Sequence, residues 1–279
     1  MLRAEQVTDA VAYHGEGPCW SPTWGGLRWV DLLAGDLLTL RDGTVDRLHV
    51  GEIAAFVRPR SRGGYVVGLA RGIGLAESPD GAPTPLPELW SDPGVRMNEG
   101  GCDPWGYLYA GSMPYDVTPG GAALYRIAPD GDVEVVLDDV TISNGIDFSP
   151  DGTLAYYDDT ATGRTDVFDV VDGRLTHRRP FVTGRDASPD GLVVDSAGNV
   201  WVAMNRDGRV RCVSPSGDVL TEVELPVRLV TACTLGGPDL RDLYITTSRE
   251  HLDDPEPEAG ALFRVRVDVP GRAVLPYGG

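Results

Sequence analysis

The chain has 279 residues, 42% of them hydrophobic, and a formal net charge of −18. That acidity repels phosphate backbones and anionic lipid, so nucleic acid and membranes are set aside as partners, leaving a divalent cation or a neutral small molecule. All 24 basic residues are arginine, which excludes Schiff-base chemistry and the phosphate-binding lysine of a P-loop.

The length suits one all-β domain covering residues 1–279, and 36 glycines and 22 prolines without low-complexity tracts point to many short strands. Cys19, Cys102, Cys212 and Cys233 lie far apart with no zinc-ligand spacing, as expected of reduced thiols in a cytoplasm. Glu5 and Asp9 stand where a signal peptide needs an apolar core, and no run of 18 apolar residues occurs. The expectation is a cytoplasmic protein, a monomer or weak homo-oligomer.

Taken in chain order, one turn-then-strand mark recurs at Gly26, Gly64, Gly106, Gly152, Gly198 and Asp242, at separations of 38 to 46 residues. A second strand pair follows each mark, from DLLTLRDGTVDRLHV in the first unit to ALFRVRVDVPGRAV in the sixth. Six units of four antiparallel strands predict a six-bladed β-propeller, whose radial closure hides the edges of such short strands. A sandwich with regular turns is the competing architecture, but its strands switch sheets too irregularly to repeat two marks in one order six times. The strand within residues 1–12 has no unit of its own and is free to complete the sixth blade.

Aligned on the turns, Ser21, Asp103, Ser149 and Asp195 form one column, and five residues before it lie Glu16, Asn98, Asn144 and Asp190. In a propeller, equal offsets on the innermost strands converge at one end of the central channel. Glu16, Asn144 and Asp190 each precede a glycine; the matching places in the second and sixth units fall near Ile53 and Ala54, and near Thr231 and Ala232. Two carboxylates and two amides make a set of hard oxygen donors suited to Ca²⁺, Mg²⁺ or Mn²⁺. For any single pair, a turn-forming role would suffice; four in register favour a site. The four histidines are scattered, with His14 set apart as a near neighbour of Glu16.

These stretches resemble the SMP-30/gluconolactonase/luciferin-regenerating-enzyme family, also called the regucalcin family. The resemblance covers nearly the whole chain and rests on GEGPCW at Gly15, RMNEGGCDPWGYLYAGSM at Arg96, ISNGIDFSPD at Ile142, SPDGLVVDSAGNVWVA at Ser188 and GGPDLRDLYITTSR near the end. It implies a six-bladed propeller with one catalytic divalent metal, Ca²⁺ foremost and Mg²⁺, Mn²⁺ or Zn²⁺ as alternatives, on Glu16, Asn144 and Asp190. It also implies substrate contacts from Arg96 and Asn98, and from Asp116, which falls where the family often places a carboxylate for sugar hydroxyls. Tyr115 is bulkier than in many relatives and would wall the pocket. Asn98-Glu99-Gly100 departs mildly from the usual Asn-Asp-Gly.

The activity implied is hydrolysis of a lactone, an aldonolactone such as gluconolactone, with Asp190 as candidate general base besides ligand. Two other readings stand beside it: a metal-dependent organophosphate or ester hydrolase, and a calcium-binding regulatory protein without turnover. Asp116 has a plain alternative as the cap of a loop turn beside Thr118.

Overall fold

An apolar alternating run, a glycine turn and a second run form an antiparallel pair wherever the turn supplies positive φ. Gly106, Gly152 and Gly198 do so at φ 86°, 72° and 86°. The column before them caps the same turns: Asp103 Oδ1 accepts from the backbone N–H of Trp105 and Tyr107, and Asp195 Oδ1 from those of Ala197 and Asn199. The computed structural model describes residues 1–183 and 188–279, and in it these pairs extend into six sheets of antiparallel strands.

The innermost strands are Gly15–Ser21, Val57–Pro59, Val95–Cys102, Ser143–Phe148, Pro189–Val194 and Val230–Gly236, one per blade. They pack side by side in sequence order, the sixth returning to the first. The six-bladed propeller expected from the repeats is therefore the observed fold. Helix is confined, among the described residues, to three single 3-10 turns at Pro22–Trp24, Leu32–Ala34 and Thr160–Thr162. None of these is long and apolar enough to cross a membrane.

Closure is made by the first residues of the chain. Glu5–Gln6 pairs antiparallel with Phe263–Arg266 and is the outermost strand of the sixth blade, while Leu2–Arg3 adds a fifth, parallel strand on Val219–Glu224 of the fifth blade. One expectation is corrected here: the end of the sixth unit, GRAV at Gly271, forms no fourth strand. Instead, residues 268–279 cross the lower face, where the inner strands end. Gly271 N–H donates to Leu240 O at 2.7 Å, Tyr277 N–H to Pro59 O at 2.8 Å and Gly278 N–H to Gly106 O at 2.8 Å. Arg272 donates to Phe148 O at 2.6 Å.

Between this strap and the upper end of the inner strands lies a cavity of ≈ 70 Å³, lined by Cys19, Cys102, Cys233, Arg58, Glu99 and Arg272 among others. It has room for on the order of two waters. All four cysteines are buried free thiols.

Candidate functional site

Five of the six inner strands carry an irregularity in their pairing near the start, between Glu16 and Cys19, Met97 and Glu99, Ser143 and Ile146, Pro189 and Leu192, and Val230 and Ala232. A bulge re-aims the side chain at that point. Glu16, Asn98, Asn144 and Asp190 lie in these bulges or beside them, at one end of the channel, and all four are buried. The glycine that follows three of them has a steric cause. A Cβ on Gly145 would sit 2.4 Å from Leu192 N of the next inner strand, and one on Gly17, at φ 51°, would sit 2.8 Å from Phe56 Cα. At these contacts neighbouring inner strands approach too closely for a Cβ, and glycine permits the approach. The same offset from the turns gives Ala55 in the second blade and Thr231 in the sixth, both buried; Thr231 donates to Gly15 O at 2.6 Å.

Glu16, Asn144 and Asp190 are each held through one side-chain atom. Glu16 Oε2 accepts from Gly17 N–H at 2.8 Å. Asn144 Nδ2 donates to Thr160 Oγ1 at 2.8 Å, and Thr160 donates onward to Pro189 O at 2.7 Å. Asp190 Oδ2 accepts from Asn205 Nδ2 at 2.7 Å. Asn98 is engaged at both ends: its Oδ1 accepts from Arg96 Nη1 at 2.7 Å and its Nδ2 donates to Ser143 O at 2.7 Å. Among the described residues, Asn144 Oδ1 is buried with no hydrogen-bond partner.

Burial dominates the electrostatics. It pushes the Glu16 carboxyl well above the usual range, with the charges of Asp190 and Glu99 acting in the same sense. Asp190 is pushed up to about 8, chiefly by burial and further by Glu99 and Glu250, against the hydrogen bond of Asn205 and the nearby Asn144 amide. Glu99 is raised by burial too, although Arg58 pairs with it at 3.1 Å. Arg96 is lowered by burial, with Glu250 the leading opposing charge.

Around this ring, Tyr115 lies over Arg96, the guanidinium carbon 5.9 Å from the ring centroid, and is itself 50% exposed. Such an arrangement restrains the guanidinium. Asp116 is exposed, and its Oδ1 accepts from Thr118 N–H at 3.0 Å and Thr118 Oγ1 at 2.8 Å. That is the turn-capping arrangement the sequence offered as its alternative.

The sequence pattern of the SMP-30/gluconolactonase/LRE-like region matches residues 14–249. The chain belongs to this family. A 6-deoxy-6-sulfogluconolactonase of Pseudomonas putida is 38% identical over 286 aligned positions, with 95% of each chain covered. A regucalcin of Danio rerio is 33% identical, covering 95% of this chain and 94% of its own. Among solved structures, a calcium-binding regucalcin from Agrobacterium tumefaciens superposes with a TM-score of 0.91 at 30% identity, covering 99% of this chain and 97% of its own.

For this SMP-30/gluconolactonase/LRE-like chain, the residues present fit a divalent cation. Leaving a buried amide oxygen such as Asn144 Oδ1 unpaired costs about 1–3 kcal/mol, which a cation would offset. Two buried carboxylates beside it answer the same need. Among the described residues no three His, Cys, Asp or Glu side chains are grouped to hold an ion, so ligation would rest on Glu16, Asp190 and the Asn144 amide with water. That all-oxygen set suits Ca²⁺, Mg²⁺ or Mn²⁺ better than Zn²⁺.

Three further groups stand at the site, of which the sequence reading marked only His14. Asn205 and Thr160 hold Asp190 and Asn144. On the rim between the sixth and first blades, His14 Nδ1 is 2.7 Å from Ser248 Oγ and 3.3 Å from Glu250 Oε2. Burial pushes His14 down to about 3, so its ring is neutral. The nearness of His14 to Glu16 was the one signal in the sequence for this cluster.

Proposed function

We propose that the chain hydrolyses a lactone, with aldonolactones as the substrate class, using a divalent cation held by Glu16, Asn144 and Asp190. The observation that carries this reading is the partnerless Asn144 Oδ1 buried between blades that also present Glu16 and Asp190. The relative named as a sugar lactonase supports the choice of substrate. When bound, the cation supplies Lewis acidity to the ester carbonyl and to water.

The chain's own residues divide the remaining work. Arg96, restrained by Tyr115 and by its bonds to Met97 O and Asn98 Oδ1, donates hydrogen bonds to the ring or carbonyl oxygens of the lactone and so orients it. Water adds to the carbonyl carbon, and Asp190 takes the proton. The ring C–O bond then breaks, and the proton passes to the leaving ring oxygen, which becomes the hydroxyl of the open acid. Burial of the site strengthens each of these charge interactions by excluding bulk water.

The test is an assay of chelator-stripped protein against a panel of lactones, with Ca²⁺, Mg²⁺, Mn²⁺ and Zn²⁺ restored in turn. Activity should vanish on stripping and return with an oxygen-preferring ion. Asp190→Asn should lower kcat by about 10²-fold or more while far-UV circular dichroism is unchanged. Full turnover in protein shown to be metal-free would overturn the reading. Ion binding with no turnover on any lactone would favour a calcium-binding role instead, as in the regucalcin neighbour.

A further inference from the structure

We infer that Asn205 is the positioning residue of Asp190, fixing which carboxylate oxygen is presented to the cation and to water. The inference rests on the reading of Asp190 as ligand and base given above.

Asn205 is the first residue after the strand Val200–Met204, the second strand of the fifth blade. Its backbone is pinned independently of its side chain, through Asn205 N–H to Ser188 O at 2.9 Å, and the chain reverses at Arg206 with φ 68°. The side chain is therefore not needed to form the loop. What it does is donate Nδ2–H to Asp190 Oδ2 at 2.7 Å, a charge-assisted bond to a carboxylate that is 5% exposed. The two oxygens of a carboxylate are otherwise equivalent, and the terminal torsion of Asp is broad and two-fold. A single fixed donor removes that equivalence. Among the described residues Asp190 Oδ1 accepts no comparable bond, and it is the oxygen left for the ring.

The neighbouring blade follows the same plan. Asn144 is held through Nδ2 by Thr160, whose hydroxyl donates to the carbonyl of Pro189, the residue before Asp190. The outer partners, Asn205 as donor to Asp190 and Thr160 as acceptor from Asn144, thus stand outside the ring, and both Oδ1 atoms remain for what it binds. A donor is required at position 205, since an acceptor there would face the Asp190 carboxylate with like charge. Outer partners of this kind change ion affinity by about 10- to 100-fold when removed.

The experiment is calorimetric titration of Ca²⁺ and Mn²⁺ into stripped wild-type protein, Asn205→Ala and Asn205→Asp, alongside the thermal midpoint of each without ion. Wild type should bind. Asn205→Ala should bind about 10- to 100-fold more weakly with its ion-free midpoint unchanged, and Asn205→Asp more weakly still. Asn205→Ser, which keeps a short donor, covers the case in which the alanine variant does not fold, and should retain more affinity than Asn205→Asp. Unchanged affinity in Asn205→Ala overturns the inference while leaving the cation reading intact. So does a loss of affinity matched by a fall in the ion-free midpoint, because the role would then be structural. Absence of ion binding by wild type overturns the cation reading, and this inference with it.

Discussion

Asp158 lies on the second strand of the fourth blade, opposite Thr165, fully buried. Among the described residues, neither of its oxygens has a hydrogen-bond partner. Burial holds its carboxyl well above the usual range against the opposing effect of the nearby Thr165 hydroxyl, and the charges of Asp190, Asp166 and Asp159 act in the same direction as burial. An unfolded Asp loses its proton near about 3.9, whereas folded Asp158 keeps it to much higher pH. Above that point the folded state binds more protons than the unfolded one, so stability falls as pH rises until Asp158 itself ionises. Asp158→Asn removes this one proton's share, about 1.4 kcal/mol per pH unit at most. Denaturant unfolding of the ion-free protein between pH 5 and 8 should show a shallower decline in the variant. Equal slopes for both proteins would mean that Asp158 ionises in the fold.

At the scale of the element, the loop from Met113 to Gly121 is fixed at both of the residues that the sequence singled out. Tyr115 N–H donates to Gly94 O at 2.9 Å, and Asp116 caps Thr118. Since Asp116 is exposed and its Oδ1 caps its own turn, Asp116→Ala should change kcat/KM for hydroxylated and deoxy lactones alike, within about twofold. A selective loss for the hydroxylated substrate would put Asp116 back against the sugar. This loop also marks how far the sequence could be read. The inner strands were legible because a turn at fixed offset repeats and because Gly17, Gly145 and Gly191 are each demanded by a neighbouring strand. Asn205 and Glu250 were not, since they follow second strands in loops of unequal length, where no repeating offset exists. The tail failed for a different reason: Arg272 and its neighbours alternate as a strand does, but the sixth blade's edge is held by Glu5–Gln6 and the tail bonds to the lower turns instead.

For the whole molecule, the decisive contacts join the two ends of the sequence. Arg3 pairs with Glu224 and Arg264 with Glu5, but exposed pairs contribute little, and the backbone ladders carry the closure. Deleting residues 1–6 should bare the edges of Phe263–Arg266 and Val219–Glu224, lowering the thermal midpoint by several degrees and raising light scattering at high concentration. An unchanged midpoint would show that the inner strands close the ring unaided. The same arrangement sets a timetable for biosynthesis. More than 250 residues separate Glu5 from Phe263, and at about 5–20 residues per second the first strand leaves the ribosome roughly 13 to 50 s before its partner exists. Five blades must wait at the tunnel exit with raw edges, so the nascent chain is most open to chaperones, and to pairing with its neighbours on a polysome, just before its last strands appear.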